Sequence, residues 1–320
     1  MKPSNILVIG GSGFLGSHIV ARLAAAGAAI RVPTRNRERV KDDLILLPTA
    51  EVVRADVHDP ATLRGLMVGM DAVVSLVGVL HDRRGDGFRR DHVELPAKIV
   101  AACAEAGMRR IVHVSALGAA ADAPSAYLRS KARGETEIRA GNNMSIHTTI
   151  LRPSVIFGRG DSFLNLFADL ARLFPILPLG GARARFQPVF VEDVAKAVVA
   201  CLDRPETNDQ CYELCGPTVY TLQELVAYVC ALLERRRMII PLPESMAMLQ
   251  AVLLEHLPGH IMSRDNVLSM RVPNIASAPG EPFPAVFGFP PTPLEAVAPE
   301  YLAARTPRAR YRGFRFRAGR

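Results

Sequence analysis

No stretch of the 320 residues reaches the ~18–20 consecutive apolar side chains that a membrane-spanning helix needs. The N-terminal apolar run from Ile6 to Ile9 ends in a glycine cluster, so it reads as a strand and not as a secretory signal. No Arg-rich presequence stands before it, and a cytoplasmic protein is expected, with any membrane association peripheral to the inner membrane. Cysteine is sparse. The five residues Cys103, Cys201, Cys211, Cys215 and Cys230 are scattered and odd in number, which argues against a disulfide framework. Cys211 and Cys215 lie close together but lack a second Cys/His pair nearby, and no metal site is expected. The main body also lacks excess charge of either sign. Arg305 to Arg320 holds seven of the 39 Lys and Arg residues and no acid, which leaves 32 bases against 31 acids elsewhere. The net charge of +8 therefore belongs almost wholly to the tail, and sequence-specific nucleic-acid binding by the body is excluded.

What is present is globular: 49% apolar and 22% charged residues, in a chain long enough for one large domain or two unequal ones. "SNILVIG", "AIRVPT", "AEVVRAD", "MDAVVSLVG", "RRIVHVS" and "IHTTILRPS" read as strands, and helical stretches separate most of them. That alternation predicts an α/β fold, a Rossmann-type doubly wound parallel sheet. Residues 1–158 are expected to form the dinucleotide-binding domain, with contributions from about 186–215. Residues 159–304 are expected to form a smaller, partly helical cap and 305–320 a disordered basic tail. In the cap, "PILPLGGARARFQPVF" reads as a loop, while "ESMAMLQAVLLEHL" is a helix apolar around most of its circumference.

Gly10, Gly13 and Gly16 in "GGSGFLG" stand between a strand and a helix. A tight turn and a close backbone approach to a pyrophosphate need residues without side chains, and the helix N-terminus then faces the negative charge. The backbone of Ser12, Phe14 and Leu15 belongs to the same turn. The second strand runs into Thr34, Arg35, Asn36 and Arg37 with no acid before Glu38, which favours the 2′-phosphate of NADP(H) over the 2′-hydroxyl of NAD(H). Asp56, followed by Val57, either accepts from the adenine amino group or caps the helix that begins near Pro60. Val77 and Gly78 end the fourth strand beside the expected cofactor.

Tyr127 and Lys131 stand four apart in "YLRSK", so on a helix they share one face. A free phenol with a pKa of ~10 is a poor acid–base group at neutral pH, and a nearby ammonium favours phenolate. Ser115, twelve residues upstream of Tyr127, can hold a carbonyl or alcohol against the phenol. Lys131 can instead hold ribose hydroxyls. Proton transfer and nucleotide holding are both open to this set.

These motifs, with "VSALGA" and "LRPSVIFG", resemble the short-chain dehydrogenase/reductase superfamily on its extended and atypical side. Together with "FQPVFVEDVAKAV", "SRDNVLSM" and "FPPTPLEAVAPEYL", they are similar to the nucleotide-binding accessory subunits of respiratory complex I and their bacterial homologues, described as epimerase/dehydratase-like. The resemblance implies NADP(H) at Gly10, Gly13, Gly16 and Arg35, with Tyr127 and Lys131 at the nicotinamide ribose and Pro153 near the ring. It also implies a nucleotide held rather than turned over, and partners in the respiratory chain or a quinone pathway. Leu117 stands where related proteins often carry a hydroxyl, which weakens substrate polarisation.

Three readings result. One is a nucleotide-stabilised structural or assembly protein. The second is an active NADP(H)-dependent oxidoreductase or epimerase on an apolar carbonyl or alcohol. The third is a module that binds an anionic membrane surface or a partner through the tail, where Tyr311, Phe314 and Phe316 interleave with arginine. His81 and Asp82 follow the fourth strand in an Arg-rich loop that reads as a solvated segment or an anion-recognition element.

Overall fold

The computed structural model describes residues 4–36, 47–80, 85–255, 262–278 and 280–303. Arg37, Glu38, His81, Asp82 and the tail from Arg305 fall outside them.

The chain divides into two compact units. The first holds the residues up to Pro153 together with Val191–Leu214 and Pro284–Phe289. Its strands β1 (Asn5–Ile9), β2 (Ala29–Thr34), β3 (Ala50–Arg54), β4 (Ala72–Ser75), β5 (Arg110–Val114) and β6 (His147–Pro153) are joined by the strand Cys211–Leu214. They form one seven-stranded sheet in the order Cys211–Leu214, β6, β5, β4, β1, β2, β3. Every pairing in it is parallel. β4 and β5 are buried along their whole length, as continuous apolar strands covered on both faces must be. The strand order reverses between β1 and β4, which opens a crevice at their carboxyl ends.

Helices α1 (Phe14–Ala25), α2 (Pro60–Met67), α3 (Leu95–Glu105) and α4 (Ala126–Arg139) lie after β1, β3, β4 and β5 in turn. Leu63 and Met67 of α2 and Ile99 and Cys103 of α3 pack against Leu7, Val73 and Ile111 of the sheet. The helix Val191–Asp203 lies beside α1, where Glu192 bridges to both His18 and Arg22. Asp59, and not Asp56, caps α2: its carboxylate accepts from Thr62 N at 2.8 Å, with Pro60 at the first helical position. Asp56 instead accepts from His58 N at 3.0 Å, a local turn.

The second unit comprises Ser154–Phe190, Cys215–Phe283 and the residues from Pro290. Its core gathers Phe157, Leu164, Leu177, Leu225, Val229 and Leu302. The Pro/Gly-rich stretch expected as a loop carries three short strands. Ile176–Gly180 pairs in parallel with Met238–Leu242, Arg185–Phe186 pairs with Tyr220–Thr221, and Val189–Phe190 pairs with Ile156–Phe157. Leu177 and Leu179 point into the core while Ile176 and Pro178 stay outside, a two-residue alternation that the prolines disguise. Asp161 ties this unit together, accepting from Leu164 N at 2.6 Å and from the Tyr301 hydroxyl at 2.8 Å. The apolar helix Glu244–Glu255 buries only Ala247 and Ala251. Met246, Leu249 and Leu253 are 53%, 61% and 65% exposed, so they are not core residues.

Candidate functional site

The turn between β1 and α1 is made by glycines for reasons of space. A Cβ at Gly16 would stand 2.3 Å from the Gly10 carbonyl oxygen, and one at Gly10 would meet Leu76 at 3.2 Å with φ at +87°. At Gly13 it would meet only the Gly10 oxygen, at 3.4 Å, so this glycine borders open space. Gly13 is the N-cap of α1 and supplies no side-chain cap, which leaves the first N–H groups of the helix for an anion. Ser12 is exposed, and Phe14 and Leu15 are half-buried. Arg35 and Asn36 follow β2 and are exposed, with Asn36 N donating to Thr34 Oγ1 at 3.3 Å. Asp56 is exposed, while Val57 and Val77 pack against the core of this unit.

The second half of the site lies at the carboxyl ends of β4, β5 and β6. Ser125 caps α4, its hydroxyl accepting from Leu128 N at 3.2 Å, and this fixes where Tyr127 and Lys131 emerge. Lys131 Nζ donates to the carbonyl oxygen of Val114 at 2.9 Å, directly before Ser115. Ser115 N donates to Leu151 O at 2.7 Å, whereas its buried hydroxyl has no hydrogen-bond partner among the described residues. A Cβ at Gly78 would lie 3.7 Å from Lys131 Nζ, so the loop after β4 runs close beside the lysine. Pro153 ends β6, and its carbonyl accepts from Leu117 N at 3.0 Å. Gly78, Ser115, Lys131 and Pro153 are thus drawn to one end of the sheet. Leu117, at the position in question for a hydroxyl, is buried.

Burial dominates the electrostatics. It pushes the Tyr127 phenol up to about 12, where the nearby ammonium was expected to pull it down. Burial also lowers Lys131 to about 8, with the Glu135 carboxylate opposing the shift. Glu135 is itself held by Arg152, with contacts of 2.8 and 2.6 Å. His113, buried beside Ser75, is held well below its ordinary value by desolvation and by Lys131 and His92. Phe88, His92, His113, Ser130 and Gly134 were not among the residues expected at the site. Phe88 and His92 meet the Tyr127 ring edge-on, at centroid distances of 6.1 and 5.6 Å. Among the described residues no group of side chains is placed to hold a metal ion.

A glycine cradle that side chains would fill and an uncapped helix N-terminus are what the pyrophosphate of a dinucleotide requires. Together with the strand order they define a nicotinamide-dinucleotide-binding protein of the short-chain dehydrogenase/reductase type. The chain belongs to the NAD dependent epimerase/dehydratase family, whose profile matches residues 6–215. It is 36% identical over 244 residues to the mitochondrial NADH dehydrogenase (ubiquinone) 1 alpha subcomplex subunit 9 of Mus musculus, covering 74% of this chain and 63% of that one. It is also 34% identical over 204 residues to the ceramide reductase of Caulobacter vibrioides, covering 62% of this chain and 61% of the relative. The chain thus spans a little over three fifths of the length of these curated relatives. Among solved structures, an NADPH-dependent quinone oxidoreductase from Escherichia coli superposes with a TM-score of 0.72 at 19% identity. That superposition covers 93% of this chain and 99% of the other and bears on the fold alone. No described helix is long and apolar enough to cross a membrane.

Proposed function

We propose that the chain holds NADP(H) as a lasting structural group and serves an assembly linked to the respiratory chain or to quinone metabolism. Gly10, Gly13 and Gly16, with the N–H groups of Ser12, Phe14 and Leu15, would hold the pyrophosphate. Arg35 and Asn36 would take the 2′-phosphate, and Asp56 and Val57 would border the adenine. Val77, Gly78, Tyr127, Lys131 and Pro153 would enclose the nicotinamide ribose and ring. When bound, the group supplies a hydride donor or acceptor. The observation that carries the reading is the state of the Tyr–Lys pair. The Tyr127 phenol is pushed up to about 12, and the Lys131 ammonium is engaged by the Val114 carbonyl. A phenol held in this way donates a hydrogen bond and gives up its proton poorly, while the anchored Lys131 amine can offer its remaining N–H groups to ribose hydroxyls. The similarity to a complex I subunit supports the partner class, and with it a place peripheral to the inner membrane.

A second reading, an active reductase of an apolar carbonyl, is favoured by one observation. The Ser115 hydroxyl is buried beside the Lys131 anchor with no hydrogen-bond partner among the described residues, as a group waiting for a substrate oxygen would be. The ceramide reductase similarity gives the substrate class such an enzyme would take.

The two are separated by analysing what the freshly purified protein carries. The structural reading expects NADP(H) near one per chain, exchange over hours, and loss of NADP⁺ but not NAD⁺ affinity in Arg35→Ala. Rapid exchange, together with NADPH oxidation by lipophilic ketones that stops in Tyr127→Phe, would establish the reductase instead.

A further inference from the structure

One buried histidine joins the two segments that border the expected nicotinamide. His92 lies in a π-helical turn, Arg90–Glu94, that leads into α3. Such turns are rare and gather at functional sites. A backbone N–H can only donate, and Val79 N stands 3.0 Å from His92 Nε2. Nε2 is therefore the acceptor, and the ring hydrogen sits on Nδ1. Nδ1 is 2.7 Å from Ser130 Oγ, and that hydroxyl donates onward to the Tyr127 carbonyl at 2.7 Å. The direction of every hydrogen bond in the chain is thereby set, from Val79 through His92 and Ser130 to Tyr127. The same ring stacks on Phe88 at 5.4 Å and meets Tyr127 edge-on. On the far side, the His92 carbonyl is pressed against Gly134 of α4.

We propose that His92 is a positioning residue for the nicotinamide end of the cleft, tying the Val77–Val79 loop to the helix turn that presents Tyr127 and Lys131. The inference rests on the reading that this cleft holds NADP(H). It adds which side chain sets the spacing between the two walls of the cleft. A purely structural histidine could use either ring nitrogen alone. His92 uses both, each toward a different wall, so removing one link at a time has distinct consequences.

The full chain carrying His92→Asn or His92→Gln tests this. Asparagine places its amide near the Nδ1 position and can keep Ser130, but it cannot reach Val79. Glutamine reaches the Nε2 position and can accept from Val79 N–H. Two probes are titrated: NADPH, read by affinity and by the emission maximum of the bound nicotinamide, and adenosine 2′,5′-bisphosphate, which lacks the nicotinamide end. His92→Asn is expected to weaken NADPH about tenfold, the scale of one lost hydrogen bond in a buried site, and to shift the emission toward that of free NADPH. His92→Gln should stay within about threefold of the wild type, and the bisphosphate should bind all three proteins alike. The inference is overturned if both variants keep wild-type NADPH affinity and emission, or if the loss falls equally on the bisphosphate. A wild-type protein that binds neither probe would instead sink the nucleotide reading itself, so the two failures are distinct.

Discussion

The carbonyl oxygen of His92 occupies the space that a side chain at Gly134 would need: a methyl group at position 134 would stand 2.0 Å from it. Backbone meets backbone here, so neither partner can yield by changing a rotamer. Gly134→Ala must push α4 away from the π-helical turn and should destabilise the protein by about 1–3 kcal/mol. Gly65, in α2, meets nothing within 4 Å, and Gly65→Ala should stabilise by roughly 0.5–1 kcal/mol. Urea unfolding midpoints of the two variants should move in opposite directions. Equal shifts would contradict the close approach.

The glycine turn makes a second contrast. Gly16→Ala would drive a methyl group into the Gly10 carbonyl, which lies 2.3 Å from the Cβ position, so it should lower stability and nucleotide affinity together. At Gly13 the nearest atom is 3.4 Å away and φ is −83°, so alanine fits the fold. Gly13→Ala should leave the melting temperature within about 2 °C and weaken NADP(H) tenfold or more, since its methyl would enter the space the pyrophosphate needs. Calorimetry and thermal melts on the same samples would show whether fold and binding separate.

Lys131 should leave a mark on the pH dependence of stability. Its pKa falls from 10.5 to about 8 on folding, chiefly through burial. Between these values the unfolded chain binds the proton and the folded one does not, so stability rises with pH across that window. The contribution is complete above the unfolded pKa and is lost as pH falls through about 8, with a span on the order of 3 kcal/mol. Unfolding free energies from pH 7 to 10, taken as wild type minus Lys131→Met, should slope upward. A flat difference would mean that the lysine is not desolvated as described.

The tail makes a separable prediction from sequence alone. Deleting residues 305–320 removes seven arginines and no acid. Binding to vesicles containing anionic lipid should be abolished, with NADP(H) affinity unchanged. Vesicle binding that survives the deletion would end the reading of the tail as a membrane-binding module.

Much of the first unit could be read from the chain because its strands carry short apolar stretches separated by turn and helix signals. "AIRVPT" corresponds to Ala29–Thr34 residue for residue. The helix after β3 was legible through Pro60, yet its cap was not: Asp56 and Asp59 are equally plausible by residue type, and only the three-residue reach from Asp59 to Thr62 decides. His92 and Gly134 were not legible. A π-helical turn leaves no periodic trace, and a glycine demanded by a neighbour distant in sequence looks like any helical glycine. The short strands around Ile176–Gly180 were hidden because their partners lie far along the chain, while prolines and glycines gave a loop-like composition. For the helix Glu244–Glu255, composition alone does not distinguish buried from exposed leucines, and the exposed Met246, Leu249 and Leu253 emerge only from the packing.

The role proposed for Tyr127 and Lys131 is to hold a nucleotide and not to drive proton transfer. The most direct measurement is the phenolate titration of Tyr127 in the NADP⁺ complex, read in the ultraviolet as wild type minus Tyr127→Phe. The chain has six tyrosines and no tryptophan, which leaves the signal clear. A pair that only holds the nucleotide leaves the pKa at ~10 or above with NADP⁺ bound. A value pulled below ~8, and restored toward ~10 in Lys131→Met, would contradict it and establish a site primed for catalysis.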